Sequence, residues 1–96
     1  MDGMTDELLD TRRRRALYRA CHRGTKEMDW LLGRYGAARL SAMPEADLTE
    51  FEAFLSLPDP DLHQWIIEPR SNPGSRFDGL IASIRAFHNL TEPAGR

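Results

Sequence analysis

Apolar residues recur at helical spacing through most of this chain, and glycine and proline divide the pattern into short segments. Valine is absent, and no stretch alternates apolar and polar residues over the length of a strand. Five segments carry an apolar stripe, at about 11–22, 25–40, 44–56, 60–67 and 76–90. The sequence therefore predicts an all-α fold, a compact five-helix bundle.

The 96 residues are enough for one domain and one modest core. We expect residues 1–10 to be a flexible N-terminal extension, because they are mostly polar. Residues 11–90 should form the single helical domain, with a loop at 69–75, and residues 91–96 a disordered tail.

Cysteine and histidine usage argues against both a metal site and a catalytic site. The single cysteine excludes an intramolecular disulfide, and the three histidines are dispersed without the spacing of metal ligands. Cys21 and His22 are adjacent, so on a helix their side chains diverge by about 100° and do not form a nucleophile and base pair. Cys21 is instead predicted to be a small core residue, and His63 and His88 are predicted to lie at the surface or rim of their helices.

The composition also bears on location. No apolar run approaches the ~18 residues that span a membrane, and acids near the N-terminus are unlike a secretory signal. A chain without disulfides fits a reducing compartment. These features favour the bacterial cytoplasm, or the mitochondrial matrix if a presequence has been removed.

Charge is distributed unevenly along the chain. Residues 12–39 contain nine basic and two acidic side chains, whereas residues 40–68 contain seven acids and no lysine or arginine. Arg12, Arg15 and Arg19 would form one basic edge of the first predicted helix, which continues to Arg23. A solvated helix face and a nucleic-acid contact are both compatible with this edge, although the overall charge of −2 disfavours the latter.

The turn between the first two predicted helices is the strongest candidate for a binding surface. Gly24 stands where a left-handed residue would end a helix, and Thr25 is a predicted N-cap of the next. Arg23 and Glu27 would project from either side of this turn. The spacing is equally compatible with a surface ion pair between them, worth ~0–1 kcal/mol.

A second cluster of charge lies at the start of the fourth predicted helix. Asp59 reads as its N-cap, Pro60 as its first residue and Asp61 as an acid of its first turn, where the helix dipole favours negative charge. Trp65 follows either as a buried anchor of the same helix, which its place beside Leu62 and Ile66 favours, or as a contact for a partner.

These two clusters together resemble a known family. Arg23, Gly24 and Glu27 match an RGxxE motif, and the segment from Asp59 to Trp65 matches a DPDLxxW motif. The chain is similar, from about residue 14 to residue 90, to the succinate dehydrogenase FAD assembly factors. The arginine run and the N-terminal residues are outside the motifs, so the resemblance assigns them no role.

The resemblance implies a five-helix bundle that is not an enzyme. It implies binding to the flavoprotein subunit of succinate dehydrogenase or fumarate reductase, and promotion of covalent FAD attachment to a histidine there. FAD would belong to that partner and would not be bound stably by this chain. The expected partner-binding residues are Arg19, Arg23, Gly24, Lys26, Glu27, Asp59 and Asp61. A helical regulator or inhibitor of another protein is the alternative function, and a nucleic-acid-binding module the next.

Overall fold

The computed structural model describes residues 2–68, 74 and 76–90, with side chains from residue 7 onward. The five helices are α1 (Asp2–Cys21), α2 (Lys26–Arg39), α3 (Glu45–Leu55), α4 (Asp59–Ile67) and α5 (Asp78–Phe87). A 3-10 turn at Leu40–Ala42 follows α2, and the described part of the chain contains no strand. The all-α prediction is confirmed. The predicted tail at 91–96 and most of the predicted loop at 69–75 lie outside the described residues.

The first helix is longer than the sequence pattern predicts. It begins at Asp2 rather than Thr11, so the predicted start is wrong. Leu9, in the part of α1 before the predicted start, packs against the core of the bundle. The apolar stripe marks only where α1 becomes buried, because a helix can extend beyond the surface it packs on. The flexibility expected of residues 1–10 stays a prediction.

A single core joins the five helices, and it is built mainly from the predicted apolar stripes. Ala38 is an exception. It is exposed, whereas Gly33 and Gly36 belong to the buried face of α2. The largest fully buried side chains are Met28, Leu31, Leu32, Leu48, Phe51, Phe54, Leu62, Ile66, Ile81 and Ile84.

Small residues bring α1 and α2 into close contact. A Cβ added to Gly33 would lie 3.0 Å from Cys21 Sγ, and one added to Gly36 would lie 3.5 Å from the Cβ of Ala20. Cys21 is half-buried at this contact, in keeping with a packing role. Close packing fixes the angle at which the chain leaves α1 and enters α2, and this positions the candidate site.

The basic segment 12–39 and the acidic segment 40–68 meet at the surface where α1 packs against α3. Arg12 reaches across to α3, where its Nε and Nη2 donate to the Glu52 carboxylate at 3.1 and 2.7 Å and its Nη1 donates to Glu45 at 3.3 Å. The bond to Glu52 raises the pKa of the Arg12 guanidinium. Arg13 donates to the Met43 carbonyl at 3.0 Å. Arg12, the first residue of the predicted basic edge, is therefore bound to α3, which weakens the nucleic-acid alternative.

The last helix is tied to its neighbours by two polar side chains. Arg85, buried on α5, donates to the carbonyls of Ile66 and Leu90. His88, predicted at the surface or rim of its helix, is half-buried with Nε2 2.7 Å from the Leu31 carbonyl. None of the described helices has the length and apolar character needed to cross a membrane.

Candidate partner-binding site at the corner between α1 and α2

Residues 23–27, which we call the corner, link α1 to α2 and are held in place by hydrogen bonds from both sides. Thr25 Oγ1 accepts from the Met28 amide at 3.1 Å, so the predicted N-cap is confirmed. The Asp29 carboxylate accepts from the Arg23 amide, and the Asp29 amide donates to the Thr25 carbonyl. The first turn of α2 thus fixes the backbone of the corner.

Arg23 does not project from the corner as the sequence suggested. Only 10% of its side chain is exposed, and its Nε and Nη2 lie 2.8 and 2.6 Å from Asp59 Oδ1. The guanidinium also donates to the carbonyls of Leu55 and Leu57, at 2.7 and 3.2 Å. These carbonyls lie at the end of α3, where helical partners run out and a cation is favoured. The alternative ion pair between Arg23 and Glu27 is therefore wrong, because the acid that Arg23 binds is Asp59.

Gly24 serves a different purpose from the one its sequence position indicated. Its φ is not positive, since Gly74 is the only described glycine with that conformation, so the predicted left-handed helix end is wrong. Instead the Gly24 amide donates to Asp59 Oδ2 at 2.7 Å. A Cβ at Gly24 would lie 3.0 Å from that oxygen, so any other residue would require the Asp59 carboxylate to move by a few tenths of an ångström.

Asp59 is also placed differently from its prediction. It is the first residue of α4, Pro60 is the second, and the capping position belongs to Pro58 without a side-chain cap bond. The predicted N-cap is wrong because the Asp59 carboxylate turns away from its own helix toward Arg23 and Gly24. The two sequence motifs are therefore parts of one structural unit.

Glu27 is the exposed acid of the corner, with 60% of its side chain accessible. His63 on α4 faces it, with Nε2 3.0 Å from Glu27 Oε1. That nitrogen is shielded from solvent and makes no well-aligned hydrogen bond, so the two side chains are in contact without a formed hydrogen bond. Sequence reasoning missed His63 as a site residue. Its spacing of four from Asp59 on a helix was the available signal, because such residues share a face.

The corner and α4 enclose a surface pocket of about 350 Å³. It is lined by Gly24, Thr25, Glu27, Met28, Asp59, Pro60 and His63. Three of the predicted site residues thus come together here, namely Gly24, Glu27 and Asp59, and Arg23 lies behind them.

The remaining predicted site residues do not line this pocket. Arg19 is exposed on α1, with Nη2 3.5 Å from the Glu52 carbonyl. Lys26 is exposed as the first residue of α2, and Asp61 is exposed in the first turn of α4 as predicted. They surround the corner, and their contact with a partner stays a prediction.

Trp30 was also missed, although it lies on the same exposed face of α2 as Glu27. Its side chain is 48% exposed, and it rests near the ring of His88 at 4.5 Å with the Arg34 guanidinium 5.8 Å away. It falls outside the apolar stripe of α2, which was a readable signal. Trp65, in contrast, is half-buried and packs against the core, which confirms its prediction as an anchor.

The described residues contain no group of His, Cys, Asp and Glu side chains arranged to hold a metal ion. Cys21 and His22 diverge as expected. Cys21 faces α2, whereas the ring of His22 is exposed and stacks on Tyr18 at 3.9 Å.

Comparison with known proteins agrees with the two motifs. Residues 14–88 match the family described as the flavinator of succinate dehydrogenase. The chain is 42% identical over 64 residues to the FAD assembly factor SdhE of Acetobacter pasteurianus, which covers 67% of this chain and 59% of that protein. It is 29% identical over 83 residues to the mitochondrial succinate dehydrogenase assembly factor 2 of Dictyostelium discoideum, covering 86% of this chain and 58% of that one. The match thus spans less than two thirds of the length of either relative. Because the family match extends over most of the chain, this protein belongs to the succinate dehydrogenase flavinator family.

Proposed function

We propose that this protein is an assembly factor that binds the flavoprotein subunit of succinate dehydrogenase and promotes covalent attachment of FAD to it. Family membership and the names of its relatives support this role. The observation that carries the proposal is the exposure of the Glu27 side chain. Its carboxylate is exposed at the rim of the pocket, while Arg23 and Asp59 are bound to each other beneath it.

A rigid corner is well suited to binding without chemistry of its own. The Thr25 cap and the Asp29 bonds fix the backbone on either side of Glu27, so little order has to be gained when a partner docks. If the corner has higher affinity for the flavoprotein conformation in which the acceptor histidine faces the flavin, binding increases the population of that conformation. Bringing reacting groups together in this way lowers the barrier by several kcal/mol.

FAD and the acceptor histidine belong, in this proposal, to the flavoprotein. The corner pocket of about 350 Å³ is at the small end of the range for small-molecule sites, which is roughly 300–1,000 Å³. It is suited to one or two side chains of a protein partner rather than to a whole dinucleotide. This chain would then supply a binding surface and no catalytic group.

The exposed face of α2 extends the proposed interface beyond the pocket. Trp30 and Arg34 follow Glu27 at three and seven residues, so all three share one side of the helix. A half-exposed tryptophan beside an arginine is typical of residues that dominate protein interfaces. Lys26 and Arg19 would lie at the rim of this surface.

The client and the compartment follow from the same proposal. The flavoprotein subunit of fumarate reductase is a second client, proposed on the sequence resemblance. The protein would act where these subunits acquire FAD, in the bacterial cytoplasm or the mitochondrial matrix, since relatives are known from a bacterium and as mitochondrial proteins.

The proposal is tested by making the succinate dehydrogenase flavoprotein subunit with and without this protein. After denaturation, flavin fluorescence on the separated subunit measures covalent FAD. We expect wild-type protein to increase this fluorescence severalfold and Glu27→Gln to remove most of the increase, because the exposed carboxylate is lost while its shape is kept.

Asp47→Asn is the matched control. Asp47 is an exposed acid in the first turn of α3, at the opposite end of that helix from the Leu55 carbonyl that binds Arg23. It should support flavinylation like the wild type. No increase with the wild-type protein would contradict the assembly function, and equal activity of Glu27→Gln and wild type would contradict the role of Glu27.

A further inference from the structure

One face of α4 contacts both charged residues of the RGxxE motif. Asp59 binds Arg23 and Gly24, and His63, four residues later, meets Glu27. We propose that His63 is a positioning residue for Glu27, and that its protonated ring holds the carboxylate where the flavoprotein meets it. This inference rests on the proposed function for its consequence, but the pairing can be tested without any partner.

The contact is shielded on one side and open on the other. His63 Nε2 lies 3.0 Å from Glu27 Oε1 and is inaccessible to solvent, although 38% of the His63 side chain and 60% of the Glu27 side chain are exposed. His63 can therefore restrain Glu27 without burying it, which leaves the second carboxylate oxygen for a partner.

Charges around the His63 ring leave Glu27 as the acid available to it. Glu27 faces the ring from α2, and Asp59 lies one turn earlier on α4. The Asp59 carboxylate is already bound to the Arg23 guanidinium and the Gly24 amide. The other residues that line the pocket with His63 are uncharged, namely Gly24, Thr25, Met28 and Pro60.

Protonation determines how firmly the pair is held. Histidine is the side chain that changes charge between pH 5 and 8, and its charged ring donates from both nitrogens. A bond from a charged donor to a carboxylate is shorter and stronger than a neutral one. Glutamate has several rotatable bonds, so holding it before binding removes part of the ordering cost at the interface.

How the affinity for the flavoprotein changes with pH depends on which form of the His63 ring holds Glu27. The protonated form favours the held carboxylate, and the held carboxylate favours the complex, so affinity for the flavoprotein should rise as pH falls from 8 to 6. Because the pair is partly exposed, the increase should be modest, roughly two- to fivefold.

The first experiment uses this protein alone. The side-chain carboxyl ¹³C resonance of Glu27 is followed by NMR from pH 8 to pH 6 in the wild type and in His63→Gln, which keeps a polar side chain but cannot gain charge. His22→Gln is the control, because His22 lies on α1 and stacks on Tyr18. A shift of the resonance in the wild type and His22→Gln, absent in His63→Gln, supports the pairing. The same response in all three proteins overturns it.

The second experiment measures binding to the flavoprotein subunit for wild type, Glu27→Gln, His63→Gln and the double variant, at pH 6 and pH 8. We expect His63→Gln to weaken binding about two- to fivefold at pH 6 when Glu27 is present and to have no effect when residue 27 is glutamine. Equal effects of His63→Gln in both backgrounds overturn the positioning role. Absence of any wild-type complex overturns the proposed function instead, and the Glu27 resonance then still decides the pairing.

Discussion

Arg23 and Glu27 belong to the same short motif, yet the structure gives them opposite environments. Arg23 is 90% covered and binds one carboxylate and two carbonyl groups, whereas Glu27 is 60% exposed and has one imperfectly aligned neighbour. The motif is therefore not a single surface. Arg23 stabilises the corner, and Glu27 is exposed on it.

The chemistry of the two side chains explains this division. Arginine carries five donors in a rigid plane, so it can satisfy the end of α3 and the Asp59 carboxylate together. Glutamate only accepts when ionised, and the amides of Met28 and Asp29 in the first turn of α2 already donate to Thr25. Its carboxylate therefore remains accessible.

Replacing the Arg23 guanidinium tests whether Arg23 supports the fold, and it should have the largest effect on stability. Arg23→Met leaves Asp59 and two carbonyls without their donor, which should lower the free energy of unfolding by about 3 kcal/mol. Urea unfolding followed by circular dichroism measures it. Arg23→Lys keeps the charge but not the planar set of donors, so it should recover only part of the lost free energy of unfolding. An unchanged unfolding midpoint for Arg23→Met would show that the buried network does not support the fold.

A smaller loss is expected where the corner approaches α4. In Gly24→Ala the added Cβ would be 3.0 Å from Asp59 Oδ2, so the carboxylate must shift from its hold on Arg23. We expect a loss of about 1 kcal/mol in the same unfolding experiment.

Gly79→Ala is the matched control for Gly24→Ala. Gly79 is in α5, and a Cβ there meets nothing within 4 Å. Alanine should therefore stabilise the helix by about 0.5–1 kcal/mol. If both variants were more stable than the wild type, the close approach of Asp59 to Gly24 would not contribute to the stability of the fold.

Glu27→Gln should have the smallest effect on stability. Its side chain is largely exposed, so the free energy of unfolding should stay within about 0.5 kcal/mol of the wild type. Urea unfolding on the sample used for flavinylation checks this directly. A large loss of stability would contradict the comparison, because Glu27 would then support the corner as Arg23 does.

The local sequence was sufficient for most of the secondary structure. The start of α2, with the Thr25 cap, follows from neighbouring residues, because capping is a local effect. The start of α1 was missed because residues 1–10 carry no apolar stripe from which a helix could be predicted. The family was also recognisable from the linear order of two short motifs.

Only the tertiary structure decided which charged side chains bind other parts of the same chain and which remain exposed. Arg23 meets Asp59 across 36 residues of sequence, and Arg12 meets Glu52 across 40. Helical periodicity assigns a residue to a face but does not say which other helix covers that face. The sequence alone therefore determined five helices and a motif, while the packing of α4 against the corner determined that Arg23 and Gly24 hold the structure and Glu27 remains accessible.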